Sequence, residues 1–134
     1  MLKTITGALL GVFALGCGAQ AFEAGDAAKG EANFRQCQAC HAVGPTAKNK
    51  VGPQLNGIVG RQIGTAEGYN YGKATAAKGA DGTTWTEDML FEYLVNPAEF
   101  VGGPSKMPMK FPDETFRRDV ITYLAQFDAS GEKK

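Results

Sequence analysis

Cys37-Gln38-Ala39-Cys40-His41 is a thiol pair with an imidazole directly behind it. The C-x-x-C-H pattern is the signature of covalent haem attachment. Each sulfur adds to one vinyl group of the porphyrin, and the two-residue spacer lets both reach the same ring edge. His41 follows at once, so its imidazole can swing beneath the ring and bind iron from one side. Other chemistries share parts of the pattern. A thioredoxin-like dithiol sits after a strand in a βαβ unit, and no segment here shows sustained strand alternation. A disulfide between Cys37 and Cys40 would close a very small, strained loop. Zinc wants four ligands, and with Cys17 set aside this region offers too few.

His41 is the only histidine in the chain, so a second protein ligand to iron cannot be another imidazole. A methionine thioether is the natural candidate, because it is a soft neutral ligand that raises the reduction potential. Beyond the initiator, the methionines are Met89, Met107 and Met109. Met89 falls on an apolar helix and reads as core. Met107 sits in Gly102-Gly103-Pro104-Ser105-Lys106-Met107-Pro108, a loop able to fold over the far face of a haem, and Met109 is its rival.

Around this centre the chain reads as all-α, in one domain without repeats. A first helix is expected over 26–37, with Asp26 as its N-cap. A second opens at Thr86, has Glu87 and Asp88 in its first turn, and stops at Asn96-Pro97. The third follows Pro112 and opens with Asp113; Phe116, Val120, Tyr123, Leu124 and Phe127 recur along it at helical spacing. Short helical turns are expected over 73–78 and 97–101. Many of the 18 glycines lie between Gly44 and Gly82, in a stretch without periodicity that side-chain packing alone would hardly organise. A large apolar cofactor at the centre would supply what the side chains lack.

The N-terminus reads differently. Met1-Leu2-Lys3 gives a positive start, an apolar run extends from Ile5 to Cys17, and Ala19-Gln20-Ala21 is a small-x-small cleavage site. This is a secretory leader over 1–21, leaving a mature domain over 22–134 and a periplasmic location. The apolar run is shorter than the ~20 residues that span a bilayer. Charges balance, with 14 basic and 14 acidic residues, which argues against a nucleic-acid footprint. Their distribution is uneven. No acid occurs between Ala32 and Ala66, where Arg35, Lys48, Lys50 and Arg61 lie, and no base occurs between Asp81 and Glu99.

The mature sequence resembles the class I cytochromes c, and within them the bacterial cytochrome c2 group. Gly30 and Phe34 resemble the family's Gly-x-x-x-aromatic, where glycine lets the first helix cross the last, here at Val120 and Tyr123. Gly52-Pro53-Gln54-Leu55 is similar to the Gly-Pro-x-Leu whose proline carbonyl accepts a hydrogen bond from the axial histidine. Gly57-Ile58-Val59-Gly60-Arg61 is similar to the Gly-x-x-Gly-Arg whose arginine lies near a haem propionate. By the same resemblance Tyr71 and Trp85 donate to propionates, Tyr93 and Leu94 pack on the haem, and Met107 is the second ligand. The ligand loop from Asn96 is slightly longer than in mitochondrial relatives, and the region from Tyr71 to Trp85 carries a short insertion.

The resemblance implies three main helices, short helical turns and long loops wrapped around one haem c bound through two thioether bonds. It implies a monomeric one-electron carrier and no enzyme. The expected partners are membrane redox complexes of the photosynthetic or respiratory chain: a cytochrome bc1-type donor, and a reaction centre or terminal oxidase as acceptor. Arg35, Lys48, Lys50, Lys106 and Lys110 form the expected docking face.

Overall fold

A computed structural model describes residues 11, 16 and 21–134 of the chain. The expected leader, with Cys17, lies almost wholly outside the described residues.

Helix α1, Ala27–Asn33, starts where expected. The Asp26 carboxylate accepts from the amides of Ala28 and Lys29, two donors that the first helical turn would otherwise leave unpaired. The segment then tightens into a 3-10 turn, Phe34–Gln36, so the helix expected over 26–37 forms in two pieces. Its end leads straight into the thiol motif, which is itself a turn: His41 N–H donates to the Cys37 carbonyl at 2.8 Å.

Short α2 runs over Lys73–Gly79, and α3 over Glu87–Tyr93 with the Thr86 hydroxyl capping the Met89 amide. The sequence suggested that α3 would reach Asn96. It stops at Tyr93 because Asn96, ahead of a proline, is extended (φ −158°, ψ 96°) and caps a separate helix α4, Pro97–Val101. Gly102, left-handed at φ 74°, closes α4 and turns the chain into the Met107 loop. Helix α5, Glu114–Leu124, is capped by Asp113 and buries Val120, Ile121, Tyr123 and Leu124.

Helices α1 and α5 form the frame. Gly30 is buried, and a Cβ there would collide with the Asp119 carbonyl and the Tyr123 side chain. The glycine is therefore required for the crossing. The closest neighbours are Asp119 and Tyr123, while Val120, expected at the contact, turns into the core at 2% exposure. Phe34 packs on Tyr123 with ring centroids 5.6 Å apart. The chain ahead of α1 is tied to the same helix: Gly25 N–H donates to Thr122 Oγ1 and Asp26 N–H to Asp119 Oδ1. The core joins these helices to Ile58, Ile63, Trp85 and Leu90 from the loops and α3. Among the described residues there are isolated bridges at Gln62–Thr84 and Phe127–Lys133 but no strand, and no helix is long and apolar enough to cross a membrane.

Candidate haem site

The loops between α1 and α3, and the loop after α4, close against α3 and α5 around a cavity of about 350 Å³. Cys37, Cys40, His41, Pro53, Arg61, Tyr71, Trp85, Tyr93, Leu94 and Met107 all line it. Residues from widely separated parts of the sequence thus meet at one place.

His41 is set by the segment that follows it. Its Nδ1 lies 2.8 Å from the Pro53 carbonyl, which can only accept, so Nδ1 carries the proton and donates. In the neutral ring Nε2 is then the unprotonated nitrogen, the form that binds a metal. Burial lowers the imidazole's pKa; the bond to Pro53 opposes this, and Arg61 adds to it. Backbone bonds from Gly52 N–H to the Cys40 carbonyl (2.8 Å) and from Leu55 N–H to the Ala42 carbonyl (2.9 Å) hold the Pro53 segment against the motif. Gly52 packs so closely on the imidazole that any Cβ there would overlap the ring.

The two cysteines are half-buried and not joined to each other. Burial, and then the neighbouring Cys40, push the Cys37 thiol up to about 11. On the loop after α4, Met107 N–H donates to Ser105 Oγ, and Tyr93 Oη lies 3.6 Å from the Met107 sulfur. Met109 also reaches the cavity, but it is 46% exposed and sits at the mouth.

Arg61 is half-buried, and its guanidinium donates to the carbonyls of Gln54 (2.8 Å) and Asn56 (3.3 Å). Among the described residues no carboxylate is within ion-pair distance of it. A partly buried cation facing a cavity without an anion suits a ligand that brings one. Tyr71 Oη accepts from Ala66 N–H at 3.0 Å and keeps its own proton to donate. Trp85 stacks on Phe100 (5.6 Å, 22°) and meets Tyr93 edge-on (5.0 Å, 65°).

Leu55, Ile58, Leu90, Val120 and Leu124 give the cavity apolar walls. Among the described residues no three His, Cys, Asp or Glu side chains are grouped to hold a bare metal ion. Two thiols, one neutral imidazole, a thioether and a lone guanidinium in an apolar slot fit a covalently attached iron porphyrin with anionic side arms.

Tyr69 is a lining residue that the sequence did not single out. It meets Tyr71 edge-on at 4.8 Å and donates to the Val51 carbonyl at 2.8 Å. Its only signal is the Tyr-x-Tyr spacing. Buried Asn56 exchanges two hydrogen bonds with the Gly44 backbone and fixes the loop beneath the cavity. Nothing in the local sequence marks it, since the pairing depends on the path of the loop.

No family model matches the chain. Individual relatives do. It is 48% identical over 118 residues to cytochrome c2 iso-2 of Rhodospirillum centenum, covering 78% of this chain and 98% of that protein. It is 43% identical over 126 residues to cytochrome c2 of Blastochloris viridis, covering 94% of this chain and 97% of the relative. The solved structure of cytochrome c2 from Rhodospirillum centenum superposes with a TM-score of 0.75 at 46% identity, over 78% of this chain and 99% of that one.

Proposed function

The chain belongs to the cytochrome c2 group of the class I c-type cytochromes, and on that footing we propose that His41 and Met107 are its axial haem ligands. It is an electron-transfer protein with one haem c, and not an enzyme. When bound, the haem supplies a one-electron couple. The observation that carries the ligand assignment is the pairing within one cavity of an imidazole oriented by Pro53 and a thioether beside the Tyr93 hydroxyl. Held by both His41 and Met107, the iron would have no position left for a substrate. The thioether favours the reduced form and so a high potential. Cys37 and Cys40 would carry the thioether bonds, Arg61, Tyr71 and Trp85 would hold the propionates, and Leu94 would pack on the ring.

The family shuttles electrons between membrane complexes. For this chain we assign docking to Arg35, Lys48, Lys50, Lys106 and Lys110, all of them exposed. Val51, 72% exposed, and Met109 add apolar surface at the cavity mouth among these bases. A bc1-type complex as donor and a reaction centre or terminal oxidase as acceptor fit such a face, because their docking would be steered by charge. Electron transfer to a membrane partner should slow as salt is added, and Lys48→Glu with Lys50→Glu should slow it roughly tenfold at low salt. A rate independent of salt, and unchanged in that variant, would remove the steering.

We also assign residues 1–21 to a cleaved leader and 22–134 to the mature periplasmic domain. Phe22, the new N-terminus, packs edge-on against Phe91 with centroids 6.1 Å apart, which gives that end a seat on the domain. The exported protein should have the intact mass of residues 22–134 plus one haem. A mass that begins at Met1 would contradict the leader, and a mass without haem the attachment.

A further inference from the structure

Arg117 and Arg118 are adjacent in sequence and opposite in circumstance. Arg118 is partly exposed and pairs with Glu114 at 3.7 Å and Glu23 at 4.0 Å, as a surface arginine does. Arg117 is 4% exposed, and among the described residues no carboxylate lies within ion-pair distance of it. Its Nη1 donates to two consecutive carbonyls, Phe111 at 2.7 Å and Pro112 at 2.8 Å. Its guanidinium carbon lies 4.2 Å from the Phe91 ring centroid, and its Nε has no partner. A buried cation is costly unless its donors are met. One whose paired donor goes to carbonyls rather than to an acid is tied to the backbone that carries them.

That backbone is the downstream end of the Met107 loop. Phe111 also donates its N–H to the Leu94 carbonyl at 2.8 Å, stacks on Phe116 at 4.9 Å and lines the cavity. Among the described residues, no amide from 104 to 110 makes a backbone–backbone hydrogen bond. The backbone around Met107 is therefore slung between two anchors, the Gly102 turn at the end of α4 and residues 111–112, with side-chain ties from Lys106 to the Asn70 carbonyl and from Tyr93 to the sulfur. The second anchor is held at the end of α3 by Leu94 and from α5 by Arg117.

We propose that Arg117 is a positioning residue for the Met107 sulfur: by fixing Phe111 and Pro112 it sets how often the loop lifts and opens the sixth coordination position. This rests on the assignment of Met107 as ligand. Arg117 does not itself line the cavity; its bonds go to the Phe111 and Pro112 carbonyls, so its effect on the sulfur passes through the loop stem.

The test uses the haem-loaded, full-length mature protein with Arg117→Gln, Arg117→Lys and, as a control, Arg118→Gln. The readouts are the rate at which added imidazole displaces the native sixth ligand in the ferric state, and exchange of the Phe111 amide with solvent. With Arg117→Gln both should rise at least about tenfold, since two charge-assisted bonds are lost. Lysine keeps the charge without the fork and should fall between. Arg118→Gln should match the wild type. A folded Arg117→Gln protein that takes imidazole at the wild-type rate would overturn the proposal. Should the glutamine variant fail to fold, Arg117→Lys decides by the same readouts: faster than wild type supports the proposal, equal overturns it. Failure of the ligand assignment looks different: the sulfur–iron band would then be absent from the wild-type ferric spectrum, or would survive Met107→Ala.

Discussion

Replacing Met107 with alanine should convert a closed electron carrier into a protein with an open iron. The ferric form should lose the weak near-infrared band of sulfur–iron ligation, and the reduced form should bind carbon monoxide rapidly at neutral pH. The midpoint potential should fall on the order of 0.2 V, a fraction of the ~0.8 V over which axial ligands tune haem. Met107 is the half-buried thioether at 3.6 Å from Tyr93 Oη, whereas Met109 is exposed at the cavity mouth. Met109→Ala should therefore keep the band and the potential. Absorption spectroscopy with potentiometry checks both variants. If the band survives in Met107→Ala and vanishes in Met109→Ala, the two residues exchange roles.

The second large effect is structural. Gly30→Val should destabilise the protein by about 3 kcal/mol or more, because even a Cβ at this position overlaps the α5 backbone at Asp119. Valine adds two methyl groups that the α1–α5 crossing has no room for, and α1 delivers the thiol motif to the cavity. In a domain of this size the melting temperature should drop on the order of 10 °C or more. Ala32→Val, on the exposed side of the same helix, should stay within about 0.5 kcal/mol. Thermal unfolding of the two variants side by side separates a lost crossing from a general intolerance of valine in α1. Equal melting temperatures would mean the helices can move apart at little cost.

Features that act over a few residues were the legible ones. Asp26, Thr86 and Asp113 cap helices because a side-chain oxygen reaches amides two or three residues on, and that geometry is written in the local sequence. The thiol motif is legible for the same reason, since its spacing is set by the width of the porphyrin edge. Asn96-Pro97 was read as a stop. The short helical turn expected over 97–101 forms as α4, and Asn96, extended ahead of a proline, is its N-cap. The family resemblance, rather than periodicity, brought Arg61, Tyr71 and Trp85 to the site. Their positions depend on how a long glycine-rich loop folds back, which no local pattern specifies. Arg117 was hidden most completely. On the sequence it is one of two arginines on a helix, and only the packing of α5 against Phe91 and the loop stem tells it apart from Arg118.

The central claim is that iron is held between the His41 imidazole and the Met107 sulfur. Proton NMR of the reduced protein tests it most directly, with methionine methyl groups isotopically labelled and assigned by single substitution. The methyl group of residue 107, held over the porphyrin face, should show a large upfield ring-current shift, while those of Met89 and Met109 stay near their ordinary positions. No strongly shifted methionine methyl, or one that disappears with Met109→Ala instead, would contradict the account.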